Sequence, residues 1–485
     1  MVFSSHLFVF YFLPLSLLAY YAAPRRGKHL LLTLLSYVFY GWANPLFVVL
    51  MFVSTVIDYV CGLVLVGRWP GWSNDDAPPL PPGGPRSAWQ KLALTASICS
   101  NLSLLGFFKY FNFGLDSYNA LVGSLGWEGG QWDTFLRITL PLGISFYTFQ
   151  SMSYSIDVYR GDARAIRNFT DFACYVAMFP QLVAGPIIRF QDVADQLRER
   201  TYSAEKFARG VAFFSFGMAK KILLANACGK VADVAFDAGS VDTLEAWAGL
   251  LGYAFQIYFD FSAYSDMAIG LGLMFGFVFA KNFDSPYQAE SLTDFWRRWH
   301  ISLSTWLRDY LYVPLGGNRR GPARTYANLA TVMVLGGLWH GASWNFVIWG
   351  AIHGTMLAFE RTQGKESFYR RLPAPLRTLL TFVIVCFAWV FFRAETLPRA
   401  LEYCQTLIGL GAPGPGAGLI AGIIYQPYYL VALAAAAATT WWAPQTWDFT
   451  RRITPAKAAL TFAVLGLSLL LLTTQTYNPF IYFIF

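Results

Sequence analysis

Charge is what this sequence has least of. Asp, Glu, Lys and Arg make up 13% of its 485 residues, about half the roughly 25% carried by soluble globular chains. A soluble enzyme of this length would lack the polar surface to stay dispersed. Intrinsic disorder is excluded by an excess, 18% aromatic residues, because such a chain collapses. Cysteines are few: Cys61, Cys99, Cys174, Cys228, Cys386 and Cys404 include no CxxC spacing, so neither a disulfide framework nor a metal site is read from them. No Lys or Arg precedes Arg25, whereas a signal peptide opens with positive charge, so the first apolar stretch is expected to be a retained helix. The net charge of +8 comes from residues set between apolar runs, without a basic stripe interleaved with aromatics. Nucleic acid is therefore not an expected partner.

What is abundant is apolar surface. Hydrophobic residues reach 56%, and at about 20 residues per spanning helix there is room for roughly a dozen transmembrane or re-entrant segments. The expected fold class is an all-α polytopic membrane protein, a single integral membrane domain over 1–485 whose main solvent is membrane lipid. Arg25, Arg26 and Lys28 follow the first apolar stretch, which places that end in the cytoplasm and the N-terminus outside, in the periplasm. The stretch 68–91, with Asp75, Asp76 and the run Pro78 to Pro85, has the composition of a flexible cytoplasmic loop.

Several segments depart from plain apolar helix. Phe179 to Pro186 holds Pro180, Gly185 and Pro186, which predicts a broken or re-entrant helix covered by protein or lining a cavity. Gly272 and Gly276 have the GxxxG spacing of helix packing. Asp260 and Asp266, six apart and so about 240° around a helix, read as separate structural carboxylates. Asn282 to Arg324 mixes Trp296, Trp299 and Trp306 with Arg297, Arg298, Arg308, Asp309, Arg319 and Arg320, which predicts an amphipathic helix at the cytoplasmic interface.

The standard catalytic signatures are absent. Gly341-Ala342-Ser343-Trp344-Asn345 is not a nucleophile elbow, because Asn345 stands where the last glycine belongs. Gly316 to Gly321 lacks the Lys-Ser/Thr ending of a phosphate loop. That leaves histidine. His6 and His29 lie near membrane ends without polar company in sequence and read as interfacial bystanders. His340 lies in an apolar run with Gly336, Gly337 and Gly341 around it. An ionisable residue at membrane depth is a functional candidate, and the glycines would let a slim substrate approach the ring. Burial favours a neutral imidazole able to take a proton from an attacking hydroxyl. The competing reading is a packing histidine bonded to a carbonyl. His353, 13 residues on, would stand about 220° around the same helix and reads as structural.

At these residues the sequence resembles the membrane-bound O-acyltransferase superfamily, and within it the bacterial alginate O-acetyltransferase branch. The resemblance is carried by Phe107 to Phe113, Leu142 to Phe149 with Asp157 to Gly161, Phe179 to Pro186, Gln256 to Gly272, Phe295 to Ser304, Asp309 to Arg319 and Trp339-His340-Gly341. It implies helices tilted around a central funnel, with His340 as the catalytic residue at its narrow point and His300 as a second polar residue of the site. It implies acetyl-CoA as cytoplasmic acyl donor and esterase-like periplasmic partner proteins that place the acetyl group on an exopolysaccharide. Arg297, Arg298, Arg308, Asp309 and Arg319, with Trp339 and Asn345 beside His340, become the candidate donor or substrate contacts. For the arginines, the alternative is topology charge and lipid headgroup contact.

The aromatic stretch Asn478 to Phe485 is similar to the end of the small partner protein of teichoic-acid D-alanylation, whose tyrosine relays an acyl group. By that similarity Tyr482 is a candidate acyl relay. The plainer alternative is an aromatic belt at the membrane interface. Two other functions stay open: a transporter or flippase with His340 as proton relay, which a twofold repeat of broken helices would have favoured, and a scaffold for periplasmic enzymes.

Overall fold

The computed structural model describes the chain except residues 69–76, 133–136, 365–370, 412–413, 415–416, 476 and 482–485. The described residues form helices, turns and irregular segments, with no β-strand among them. They divide into two compact units, Met1–Phe207 with Gly272–Phe279, and Ala208–Leu271 with Ala280–Phe485. Among the described residues, five helices are long and apolar enough to cross a membrane: Pro45–Val66, Ala88–Ser124, Ala204–Phe236, Ala374–Arg393 and Pro455–Thr474. A sixth span results if Ala417–Ile424 and Pro427–Trp442, bent by 71°, count as one. The protein is thus an all-helical, multi-pass membrane protein. Uninterrupted spans are fewer than the dozen segments expected, because several apolar stretches are divided into shorter helices.

Local signals in the first unit are strong. Asn44 accepts the Leu46 N–H at 3.0 Å, and Pro45 sits in the first turn, where its missing N–H costs nothing. Gly67 closes this helix at φ 62°, a left-handed position that suits glycine. Ser87 and Gln90 open the 37-residue helix Ala88–Ser124 with a reciprocal capping box, at 3.2 and 2.8 Å. Between these helices Asp58 is fully buried, and accepts from Ser97 at 2.6 Å and from Asn101 at 2.9 Å. Ser97 also reaches Ser155 of the Ile144–Arg160 helix at 2.7 Å, so one polar knot ties three helices. Of the 68–91 loop, the described part is pinned: Arg86 donates to the carbonyls of Tyr159 and Arg160 at 2.8 and 3.3 Å.

The broken helix is present. Phe179–Leu182 forms a single helical turn within a stretch, 172–188, in which every residue is buried. The Phe179 N–H finds Ser36 Oγ at 2.9 Å, a side-chain partner for a backbone group that no helix satisfies. His29, in contrast, is no bystander. Its Nδ1 lies 2.5 Å from Asp171 and its Nε2 lies 2.6 Å from Arg200. Both partners are more than a hundred residues away in sequence, which is why local reading missed them.

Four further expectations are corrected. The apolar runs 244–259 and 263–280 join into one helix, Thr243–Met274. Gly276 lies beyond its end at φ 88°, and a Cβ on Gly272 would stand 2.7 Å from the Phe279 ring, so this pair marks a helix terminus and not a helix-helix seam. The Asn282–Arg324 region is not a surface helix. It is cut into Leu292–Arg298, Ile301–Leu307 and a π-helical turn Arg308–Tyr312, with Trp299 and Trp306 buried. The indoles turn inward and the arginines outward, so one continuous amphipathic face never forms. Finally, the run 326–350 breaks at Gly341, giving Pro322–His340 and Trp344–Gln363.

Those last two helices pack backbone to backbone. A Cβ on Gly337 would stand 2.2 Å from the Phe346 carbonyl oxygen, and one on Gly350 2.4 Å from that of Met333. A Cβ on Gly336 would meet only a Leu307 methyl at 3.4 Å. Gly337→Ala is therefore expected to force the helices apart at about 1–3 kcal/mol and lower the melting temperature of the detergent-solubilised protein. Gly336→Ala is expected to melt at or above wild type, because alanine favours helix. Equal melting of the two variants would contradict the close backbone contact.

Candidate active site

His340 is the last residue of its helix, and Gly341, at φ −156°, turns the chain away in extended form. The imidazole therefore stands at a helix end and not mid-span. Its ring is 8% exposed and sits among aromatic neighbours: Trp339 at 5.0 Å between centroids, Trp349 at 5.3 Å and Phe392 at 5.2 Å. All three meet it steeply, with interplanar angles of 81°, 81° and 69°, the edge-to-face geometry that aromatic quadrupoles favour. The nearby glycines do not open a path to the ring. A Cβ on Gly341 would stand 2.0 Å from the Phe346 ring, so the space freed by the glycines is filled by the neighbouring helix.

His300 is brought to the same place from 40 residues away. The two imidazole centroids are 6.4 Å apart. His300 is fully buried and adopts φ 45°, one of two described non-glycine residues in the left-handed region. Such a conformation is held only where the surroundings over-determine it. Here Asn282 does so: its Oδ1 lies 3.3 Å from His300 Nδ1 and accepts from the Ser302 N–H and hydroxyl at 3.2 and 2.9 Å. The Asn282 carbonyl accepts the Ile301 N–H at 2.9 Å. Nε2 of His300 is buried with no hydrogen-bond partner among the described residues. Burial pushes this imidazole down to about 3, so it stays neutral.

The other candidates divide. Trp339 touches both imidazoles, at 5.0 Å from His340 and 6.0 Å from His300. Asn345 is buried and donates to the Ala394 carbonyl at 2.6 Å, tying two helix ends together. Arg298 is paired with Asp294 at 2.9 Å, and Arg308 with Asp309 at 2.7 Å. Arg297, Arg319 and Arg320 are exposed and carry no ion pair among the described residues. His353 accepts from Trp296 Nε1 at 3.3 Å, and Trp349 stands between it and His340. His353 and His340 lie on separate helices, Trp344–Gln363 and Pro322–His340, and His353 is apart from the pair. Tyr482 lies outside the described residues.

A small cavity of about 10 Å³ lies against His340, lined also by Ile257, Phe261, Trp299, Trp389, Phe392 and Ile481. That is on the order of one water position. The presence of Ile481 was not expected from sequence. It comes from 141 positions further along the chain, and only its place in the Asn478 to Phe485 stretch pointed to it. Asn282 was missed as well, since nothing in its local sequence marks it as a partner of His300. Groups of three or more His, Cys, Asp or Glu able to hold a metal ion do not occur among the described residues.

With this geometry in hand, the comparisons become informative. Residues 127–394 match the membrane-bound O-acyltransferase family. The chain is 48% identical over 411 residues to the probable alginate O-acetylase AlgI of Azotobacter vinelandii, covering 85% of this chain and 79% of that one. It is 43% identical to the probable AlgI of Pseudomonas putida over 507 aligned positions and the whole of both chains. It is also 36% identical to a peptidoglycan O-acetyltransferase of Helicobacter pylori, over 84% of this chain and 80% of that protein. The matched residues contain both His300 and His340, and the likeness to acyltransferases displaces the transporter and scaffold readings. The chain belongs to the membrane-bound O-acyltransferase family, in its alginate O-acetylase-like branch.

Proposed function

We propose that the protein takes an acetyl group from acetyl-CoA on the cytoplasmic side of the bacterial inner membrane and passes it across for O-acetylation of an exopolysaccharide, alginate-like or cellulose-like. The relatives named for alginate and peptidoglycan acetylation support a polysaccharide as final acceptor. The observation that carries the reading is the His340 cavity, with His300 6.4 Å away and Ile481 in its wall. In this reading the N-terminus faces the periplasm.

The chemistry follows from the residues. An acceptor hydroxyl gives its proton to the neutral imidazole of His340 while its oxygen attacks the thioester carbonyl. The C–S bond then breaks, and the departing thiolate takes that proton from the imidazolium. Tyr482, next in sequence after Ile481, is the first acceptor: a phenol with an ordinary pKa near ~10 needs a base at neutral pH. It holds the acetyl group as an ester, which an esterase-like periplasmic partner transfers to the polysaccharide. His300, neutral and with Nε2 unoccupied, orients the acceptor oxygen or the thioester carbonyl.

Three outcomes are expected. His340→Ala is expected to lower acetyl-CoA cleavage by purified protein about 10²–10⁴-fold, with an unchanged melting temperature. A folded variant that keeps the wild-type rate would remove His340 from the base role. Tyr482→Phe, which lacks the acceptor hydroxyl, is expected to deliver no acetyl group to polymer, with any residual donor cleavage going to water; wild-type delivery would leave only the aromatic belt. Replacing Arg297, Arg319 and Arg320 together by glutamine is expected to weaken acetyl-CoA binding about tenfold, at ~0.5 kcal/mol for each exposed contact. The remaining affinity should then respond less to salt. Unchanged affinity would assign these arginines to topology alone.

A further inference from the structure

Gln475 and the residues 477–481 do not lie on the surface as an interfacial belt would. They are bonded at several points to other parts of the second unit. Asn226 Nδ2 faces Gln475 Oε1 at 3.2 Å and Asn478 Oδ1 at 3.3 Å. The Tyr477 hydroxyl donates to Asp233, a carboxylate also held by Arg393 at 2.9 Å. Phe480 is buried with its ring 4.9 Å from that of Tyr264, and Ile481 is 1% exposed.

At the inner end of this stretch lies a buried ion pair. Lys221 belongs to a π-helical turn, Lys220–Ala225, and Asp260 to the Thr243–Met274 helix. Their Nζ and Oδ1 are 2.7 Å apart, with side chains 4% and 1% exposed. The adjacent Lys220 makes its own pair with Asp266 at 2.7 Å. Asp266 also accepts from the Thr446 hydroxyl at 2.7 Å, whereas the Lys221–Asp260 pair turns to the backbone. Lys221 Nζ donates to the carbonyl of Pro479, and Asp260 Oδ2 accepts the N–H of Ile481 at 2.8 Å. The cation thus holds a backbone acceptor and the anion a backbone donor, two residues apart. A buried ion pair is favourable only when its remaining hydrogen-bonding capacity is used. The backbone groups of a buried irregular segment likewise need partners. Each supplies what the other lacks.

We propose that Lys221 and Asp260 are positioning residues: a two-point clamp that seats Pro479–Ile481 and fixes the register at which Ile481 stands against the His340 cavity. Contact through the backbone makes the clamp blind to the side chains it holds, but a slip of two residues would bring Pro479, which has no N–H, opposite Asp260, and a slip of one would put Phe480 where Ile481 stands at the cavity. The inference rests on the reading of His340 as the catalytic base only for its functional consequence; the seat itself is independent of donor identity.

The test uses the full chain in detergent or nanodiscs. Lys221→Met with Asp260→Leu replaces the pair by apolar side chains of similar size, a change that buried ion pairs commonly tolerate. Ile481→Pro removes the donated N–H while leaving Lys221 and Asp260 in place, and it is read against Ile481→Ala, which keeps that N–H but likewise loses the side chain at the cavity. In the double variant and in Ile481→Pro, amide exchange across 475–481, followed by mass spectrometry, is expected to quicken about tenfold or more. In the double variant, acetyl-CoA cleavage onto the seated segment and delivery of acetyl to polymer are both expected to fall about tenfold or more. If Ile481→Pro leaves both exchange and delivery at the levels of Ile481→Ala, the clamp is wrong, whether or not the double variant folds. Faster exchange with unaltered delivery would overturn the functional part alone. Failure of the His340 reading would appear separately, as donor cleavage that survives His340→Ala.

Discussion

One constraint governs this protein: a charged or polar group in its interior is costly unless another part of the chain partners it. Asp58 in the first unit is encircled by Ser97 and Asn101. In the second unit Asp266 is met by Lys220 and by the Thr446 hydroxyl, both at 2.7 Å, and Asp260 by Lys221 and the Ile481 amide. These knots join segments far apart in sequence, and they set which helices can be neighbours. His300 Nε2 is one of several buried polar atoms without a partner among the described residues, and it is the one that stands next to the His340 imidazole.

The same constraint explains why the site is built at helix ends. Inside a regular helix the backbone groups are consumed and the side chains point only outward. A break releases backbone direction and lets a side chain enter the interior end-on. His340 closes one helix, His300 precedes another at φ 45°, and Lys221 sits in a π-helical turn where the chain carries an extra residue. Each irregularity has a cost, and each is backed by specific partners: the Gly337–Phe346 contact, Asn282, and the carboxylate of Asp260.

How much of this was legible follows from the range of each signal. The membrane class, the helical fold and the break at Phe179–Pro186 are compositional or local, and they were read. His340 and His300 were singled out from burial chemistry and from a family likeness, and their closeness needs no sequence periodicity because it is a tertiary fact. The errors have one origin. Treating 326–350 as a single helix, Asn282–Arg324 as a surface helix and Gly272 with Gly276 as a packing seam all assumed that apolar or amphipathic stretches continue. Glycine at 341 and 276 and the left-handed His300 stop them. His29 and Asn282 were overlooked because their partners, Asp171 with Arg200 and His300 with Ser302, are set by packing between segments.

The aromatic surroundings of His340 bear on how such a base can be held ready. In hydrolytic triads a carboxylate orients the imidazole and at the same time stabilises its protonated form. Here the neighbours that fix the ring are Trp339, Trp349 and Phe392, each set steeply against it. Rigid side chains with two torsions orient a ring through packing. If His340 is the proposed base, an acceptor hydroxyl has to be delivered into the cavity beside it. The cavity is too small to admit polymer, so on that reading the acceptor would reach it on a slender segment. In this structure the segment already standing in its wall is the one that ends at Ile481 among the described residues.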